Sequence, residues 1–393
     1  MKTGFEQSRR AMLKTLGGAS LALCSNSSLG RMYADEVATD PRVTKIVAET
    51  ISVDMHNHAY QPPYAKGAEE TGADLAIDLS SQMKKAGLSA VCFTYAVDGD
   101  RSPQPGDWYQ YHLQNLANAD RMLKQNDMRR ALSMKDLKAA HAENKPIVIQ
   151  DCEGAQWIEG RLERVEEAYK RGLRHMQLVH QMHALSSPLA GVQQLIQPTG
   201  SDPNSQVADI SGLTPFGADV IRECNRLGIV VDLAHATEAA VFAALKVARH
   251  PLVVTHTALD NALGRSDNQY VGNPGLTARL VSREYAKAVA DAGGVVGIWH
   301  IFPTLKEFVT AIKQMVEVVG VEHTGIGTDT SVAPPAGRGA GTNAIWPDQH
   351  AGFIYAVAGE MLAQGFHPQE ISRVAGGNYC RVFDQVTRGH AAL

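Results

Sequence analysis

A chain of 393 residues with 44% hydrophobic content can fill a sizeable core, as one large α/β barrel or as two ordinary domains. Its formal net charge of −4, a pI near 6.4 and the lack of any long block of one sign exclude the electrostatic footprint of a nucleic-acid binder, so a small-molecule substrate fits better. No stretch reaches the roughly 18 uninterrupted apolar residues that a membrane-spanning helix needs.

Near the N-terminus, SRRAMLKTLGGASLALC sets Arg9 and Arg10 ahead of Leu13, Lys14 and a mild apolar run from Thr15 to Cys24. This resembles a twin-arginine export signal, against the plainer reading of a basic amphipathic N-terminus. Residues 1–34 are assigned to that signal and 35–393 to a single barrel domain, with cleavage after Gly30 or Ala34. Leu23 stands before Cys24 where a lipoprotein signal has a small residue, which argues against lipidation. The twin-arginine route carries folded proteins and suits an enzyme that loads metal before crossing, so a periplasmic or exported protein is expected.

After a polar lead-in over 31–44, short apolar runs alternate with longer amphipathic ones. Strands are expected at 50–56, 88–97, 146–153, 175–180, 228–235, 251–256, 293–299 and 323–329. Between them DLSSQMKKAG, RLERVEEAYKRG, FGADVIRECNRLG, EAAVFAALKVARH and TLKEFVTAIKQMVEVVG repeat apolar residues every three or four positions, and a glycine often follows the last turn. Eight β-then-α units predict an α/β fold, a (β/α)8 TIM barrel. A doubly wound open sheet is the alternative, weakened by the lack of a GxGxxG turn after the first strand. The connection over 181–213, rich in Gly, Pro, Ser, Asp and Gln, is expected to cover the substrate at the barrel mouth.

Five cysteines show no CxxC pair or regular spacing, so neither a zinc knuckle nor a disulfide scaffold is implied. Cys92, Cys152, Cys224 and Cys380 lie in apolar or helical runs and read as buried small hydrophobes. The histidines are more telling. VDMHNHAY puts His56 and His58 two apart, where side chains of a strand share a face. Ligand-type residues recur at later strand ends: Glu153 after the third, His180 after the fourth, His235 after the fifth, His256 after the sixth and Asp329 after the eighth. Singly each has a dull explanation, a surface histidine or an aspartate N-cap. In a TIM barrel all these ends surround one mouth, and the joint placement points to one or two divalent ions held by imidazole nitrogen and carboxylate oxygen.

From DMHNH to GGNYCRVF, and most closely over GLTPFGADVIRECNRLGIVVDLAH and THT, the chain resembles the membrane (renal) dipeptidases, metallo-dipeptidases of the M19 peptidase type. The resemblance implies a (β/α)8 barrel of the metal-dependent hydrolase type with two divalent ions, expected to be Zn2+. His56 and the residue at 58 would bind one ion, Glu153 would bridge, and His235 and His256 would bind the second. His180 would contact the substrate and its oxyanion, Arg265 in ALGRSDN would receive the terminal carboxylate, and Asp329 would be the acid/base. Hydrolysis of a dipeptide by a metal-bridging hydroxide follows, including dipeptides with a C-terminal D-residue; the resemblance also leaves room for a homodimer.

Three positions depart from the family pattern: His58 stands where aspartate is usual, Ser331 where a second acidic residue is usual, and His183 where a different polar residue is usual. Two other functions remain open on sequence alone. One is hydrolysis of another amide, lactone or ester on the same barrel. The other is a non-catalytic periplasmic binding protein.

Overall fold

A computed structural model describes residues 40–59, 77–98, 104–180, 212–260, 279–334 and 341–390. All eight expected strands are present: β1 (Val53–Asn57), β2 (Ala90–Phe93), β3 (Ile147–Gln150), β4 (His175–Gln177), β5 (Val230–Asp232), β6 (Val253–Thr257), β7 (Val295–Ile298) and β8 (Thr324–Ile326). They pair in parallel and in sequence order, as β1-β2-β3 and as β4-β5-β6-β7-β8. Single bridges from Gln150 to Leu173 and from Glu153 to Gln177 join β3 to β4. Another, Asn57 to Thr330, closes β8 onto β1, and the result is the expected (β/α)8 barrel.

Twelve helices occur among the described residues: α1 (Pro41–Glu49), α2 (Leu79–Ala86), α3 (Asp107–Gln125), α4 (Met134–Ala142), α5 (Glu163–Lys170), α6 (Pro215–Leu227), α7 (Glu238–Val247), α8 (Arg283–Asp291), α9 (Leu305–Val319), α10 (Phe353–Ala363), α11 (Pro368–Ser372) and α12 (Asn378–Thr387). The five helical segments expected from spacing correspond to α2, α5, α6, α7 and α9. Their ends are written in the sequence. Thr214 caps α6 by accepting from the Gly217 N–H, Pro215 opens it, and Gly228 at φ 83° ends it in the left-handed region that a side chain resists. None of the described helices is long and apolar enough to cross a membrane.

Alternation along the strands builds two layers of packing. Val53, Met55, Ala90, Cys92, Ile147, Ile149, Val230, Val253 and Val295 face the barrel interior, where Tyr379, Val382, Phe383 and Val386 of α12 pack against them. Most of these inward residues open their strands, so α12 covers the N-terminal end of the barrel. Their neighbours Val91, Val148, Val231, Val254 and Val296 face outward into the larger core shared with the helices. With one end sealed, the C-terminal end remains for chemistry. The four described cysteines are buried and free, as expected of small core residues.

The polar lead-in gives way earlier than expected, because Asp40 caps α1 and Pro41 opens it. The β2–β3 connection carries two helices, α3 and α4, where the strand pattern alone suggested one unit. The export segment, the long connection after β4 with its His183, and Arg265 lie outside the described residues.

Candidate active site

Two strands are irregular where the site needs them. The pairing of β1 with β2 shifts register between Asp54 and Asn57, and that of β6 with β7 shifts between Val254 and Thr257. Strict alternation after inward Met55 would turn His56 outward; the bulge re-aims it, as bulges beside active sites do. His256 sits in the matching irregularity of β6. Two further site residues have unusual backbones, His235 at φ 68° and Asp329 at φ 54°, the left-handed region that non-glycine residues seldom adopt.

All seven histidine and carboxylate positions expected at the strand ends come together, the five histidines around Glu153 and Asp329 against His56 and His58. Glu153 Oε1 lies 3.7 Å from His56 Nε2, 3.4 Å from His180 Nε2, 3.5 Å from His235 Nε2 and 3.9 Å from His256 Nε2. Its Oε2 lies 3.8 Å from His58 Nε2. Asp329 Oδ1 is 3.1 Å from His58 Nε2 and 3.8 Å from His56 Nε2. Facing nitrogens of His235 and His256 stand 3.0 Å apart.

Burial and the neighbouring charges together decide the charge states. Desolvation first, helped by neighbouring cationic groups, lowers the pKa values of His56, His235 and His256 well below that of free histidine, so these rings are neutral and keep a lone pair for a ligand. Desolvation also raises that of Glu153. For His180 burial pulls down, but the Asp98 and Glu153 carboxylates outweigh it and lift the pKa to about 9. Burial likewise opposes ionisation of Asp329, yet the hydrogen bond with His58 and the charges around it hold its carboxyl well below the usual range.

Two residues that the strand-end pattern did not single out belong to this cluster. Asp98 is fully buried, its Oδ1 2.8 Å from His180 Nδ1, while Gln156 Nε2 donates to its other oxygen at 3.1 Å. Arg279 enters ahead of α8, stacks 3.9 Å over the Trp299 ring, donates to His235 Nε2 at 2.6 Å and lies 3.5 Å from Asp329 Oδ2. Asp98 directly follows the second expected strand, so the rule that found the others points to it as well. No local pattern marks Arg279.

The residues fit divalent metal. His56 has both ring nitrogens buried and without a hydrogen-bond partner, and His58 Nδ1 is in the same state. Such orphaned nitrogens are costly unless something binds them. Donor atoms of His56, His58 and Glu153 fall close enough for one ion, as do those of Glu153, His180 and His235, and those of His56, His256 and Asp329. Imidazole with carboxylate is the donor mixture that zinc and similar ions take.

A family model for membrane dipeptidase (peptidase family M19) matches residues 41–392. Among curated relatives, dipeptidase 3 of Mus musculus is 28% identical over 182 residues, 45% of this chain and 34% of that protein. An uncharacterized dipeptidase, C965.12 of Schizosaccharomyces pombe, is 26% identical over 57% of this chain and 51% of its own length. These matches therefore span only about a third to a half of the relatives.

Two solved structures share the fold over most of both chains. An amidohydrolase from Pseudomonas aeruginosa has a TM-score of 0.63 at 19% identity, covering 88% of this chain and 98% of its own. A metallo peptidase from Rhodobacter sphaeroides, liganded with a phosphinate mimic of the dipeptide L-Ala-D-Ala, has a TM-score of 0.60 at 19% identity, covering 86% of this chain and 100% of its own. Because the family match runs from α1 to beyond α12, across every strand that carries a site residue, this chain belongs to the membrane dipeptidase family, peptidase family M19.

Proposed function

We propose that the protein is an exported, zinc-dependent dipeptidase that hydrolyses the peptide bond of small dipeptides. The observation that carries this reading is the convergence of imidazoles from β1, β4, β5 and β6 on the single carboxylate of Glu153. His56, His58 and Glu153 would hold one divalent ion, and Glu153, His235 and His256 a second. Ions there supply Lewis acidity for the scissile carbonyl and lower the pKa of water.

The remaining residues orient the substrate and move protons. His180, kept protonated by Asp98, offers its Nε2–H to the oxygen that becomes negative in the tetrahedral state. Arg279 presents a guanidinium at the same mouth, suited to a bidentate grip on the dipeptide's terminal carboxylate; Arg265, outside the described residues, is proposed for the same task. Asp329, anionic at rest, takes a proton from the attacking water on its carboxylate and passes it to the departing amine. The L-Ala-D-Ala mimic bound by the Rhodobacter enzyme supports including dipeptides with a C-terminal D-residue. Arg9 and Arg10 with the apolar run that follows them support export, which would make the enzyme periplasmic or exported.

The test pairs metal analysis with a panel of L,L- and L,D-dipeptides, esters and lactones. Two ions per chain and turnover of dipeptides are expected. Turnover of esters or lactones alone would replace the peptidase reading with the broader hydrolase, and dipeptide binding without any turnover would leave a binding protein.

His58 gives a sharper expectation. An imidazole there leaves the first ion with a single anionic ligand, Glu153. Substituting His58→Asp adds a negative charge and should tighten the weaker ion by about tenfold, roughly 1.4 kcal/mol, in chelator competition. Unchanged or weaker binding would show that the charge at position 58 does not limit metal affinity.

A further inference from the structure

Beneath the site, two buried carboxylates each clasp a pair of neighbouring strands. Asp54 Oδ1 accepts from the backbone N–H of His56 at 3.3 Å and of Thr328 at 2.9 Å; its Oδ2 accepts from the Thr328 hydroxyl at 2.6 Å and from Asn57 Nδ2 at 2.9 Å. Asp232 repeats the device. Its Oδ1 accepts from the N–H of Ala234 at 2.9 Å and of Thr255 at 3.1 Å, and its Oδ2 from the Thr255 hydroxyl at 2.5 Å. All four clasp residues are fully buried. Each threonine directly precedes a site residue, Asp329 in one clasp and His256 in the other. Each aspartate lies two or three residues before a site histidine, His56 or His235.

The clasps differ in what faces the threonine hydroxyl. Thr255 Oγ1 lies 2.9 Å from His256 Nδ1, whereas Thr328 Oγ1 has the Thr330 hydroxyl at 2.7 Å. A threonine hydroxyl has one proton, and at 2.5 Å from a carboxylate that proton goes to Asp232. Its oxygen can then only accept, so His256 Nδ1 must carry the hydrogen and Nε2 the lone pair. That lone pair faces Glu153 Oε1 and His235 Nε2.

We infer that Thr255, backed by Asp232, is a positioning residue that sets the tautomer and aim of His256 and so the strength of the ion site on the β5–β6 side of the barrel. This rests on the reading of His256 as a metal ligand. Outer partners of this kind are worth about 10- to 100-fold in metal affinity. The valine that replaces a threonine with little change of shape removes the relay without opening a cavity, and serine restores the hydroxyl.

The experiment is chelator competition with Zn2+, and the Co2+ absorption spectrum, on the full chain carrying Thr255→Val, Thr255→Ser, Thr328→Val or His256→Ala. His256→Ala should abolish one binding step and thereby identify it. Thr255→Val should weaken that same step by about 10- to 100-fold and alter the Co2+ spectrum, with Thr255→Ser close to wild type. Thr328→Val breaks the sister clasp and should leave that step in place. The inference is overturned if Thr255→Val binds within twofold of wild type, if serine does not rescue, or if Thr328→Val weakens the step as much. If His256→Ala itself leaves both steps intact, the ligand reading fails instead.

Discussion

Glu153→Gln is expected to leave a folded protein that cannot hold both ions and has lost about a thousandfold in kcat/KM. The carboxylate lies within 4 Å of ring nitrogens from His56, His58, His180, His235 and His256, so no other described residue reaches as much of the site. Glutamine keeps the volume but offers one neutral oxygen in place of the two charged ones that would hold the proposed ions. A Lewis acid at the carbonyl contributes several kcal/mol, and each 1.4 kcal/mol is about tenfold in rate.

Folding should not suffer. The Glu153 backbone is fixed independently, its N–H donating to the Tyr95 carbonyl at 2.9 Å and its bridges running to Ala96 and Gln177. Burial disfavours ionised Glu153, so in chelator the variant's melting temperature should equal or exceed that of wild type. Two ions per chain with undiminished turnover would remove Glu153 from the centre of the mechanism.

Much of the fold and of this cluster is legible in the sequence, and the legible parts share a cause. Parallel strands buried on both faces carry continuous apolar runs, and the polar residue that ends each run is forced to the mouth of the barrel. That rule located His56, His58, Glu153, His180, His235, His256 and Asp329. Applied to the second strand it reaches Asp98, one residue past the expected end at Val97.

What stayed hidden depends on geometry that spacing does not encode. Arg279 stands 22 residues beyond the end of β6, and neither that distance nor its neighbours foretell a guanidinium stacked over the Trp299 ring beside His235. The bulges at His56 and His256 break the alternation by which a strand is read. Helices α3 and α4 had visible apolar spacing, Trp108, Leu116, Ala119 and Met122 in α3, and Leu137 and Ala140 in α4. Nothing in that spacing told that two helices, rather than one, separate β2 from β3.

Asp329→Asn carries the second large effect, and it separates two roles that the geometry allows. Asp329 Oδ1 lies near enough to His56 and His256 to share an ion with them, which would make it a ligand. Its other contacts argue for proton transfer. Oδ1 is closest to His58 at 3.1 Å, and Oδ2 faces Arg279 at 3.5 Å, where the substrate would enter. The backbone there favours the test. At φ 54° asparagine is as comfortable as aspartate, so the strained turn and the bond from the Asp329 N–H to the His56 carbonyl at 3.0 Å should survive. An amide cannot take the proton from water and hand it to the amine. Turnover should therefore fall about 10²- to 10⁴-fold, the usual worth of a general acid and base. Metal content and affinity for a phosphinate dipeptide mimic should stay near wild type. Loss of an ion along with activity would instead assign Asp329 to the metal, and leave the proton on the leaving amine to be supplied by His180, whose pKa of about 9 keeps its ring protonated and whose Nε2 lies 3.4 Å from Glu153 Oε1.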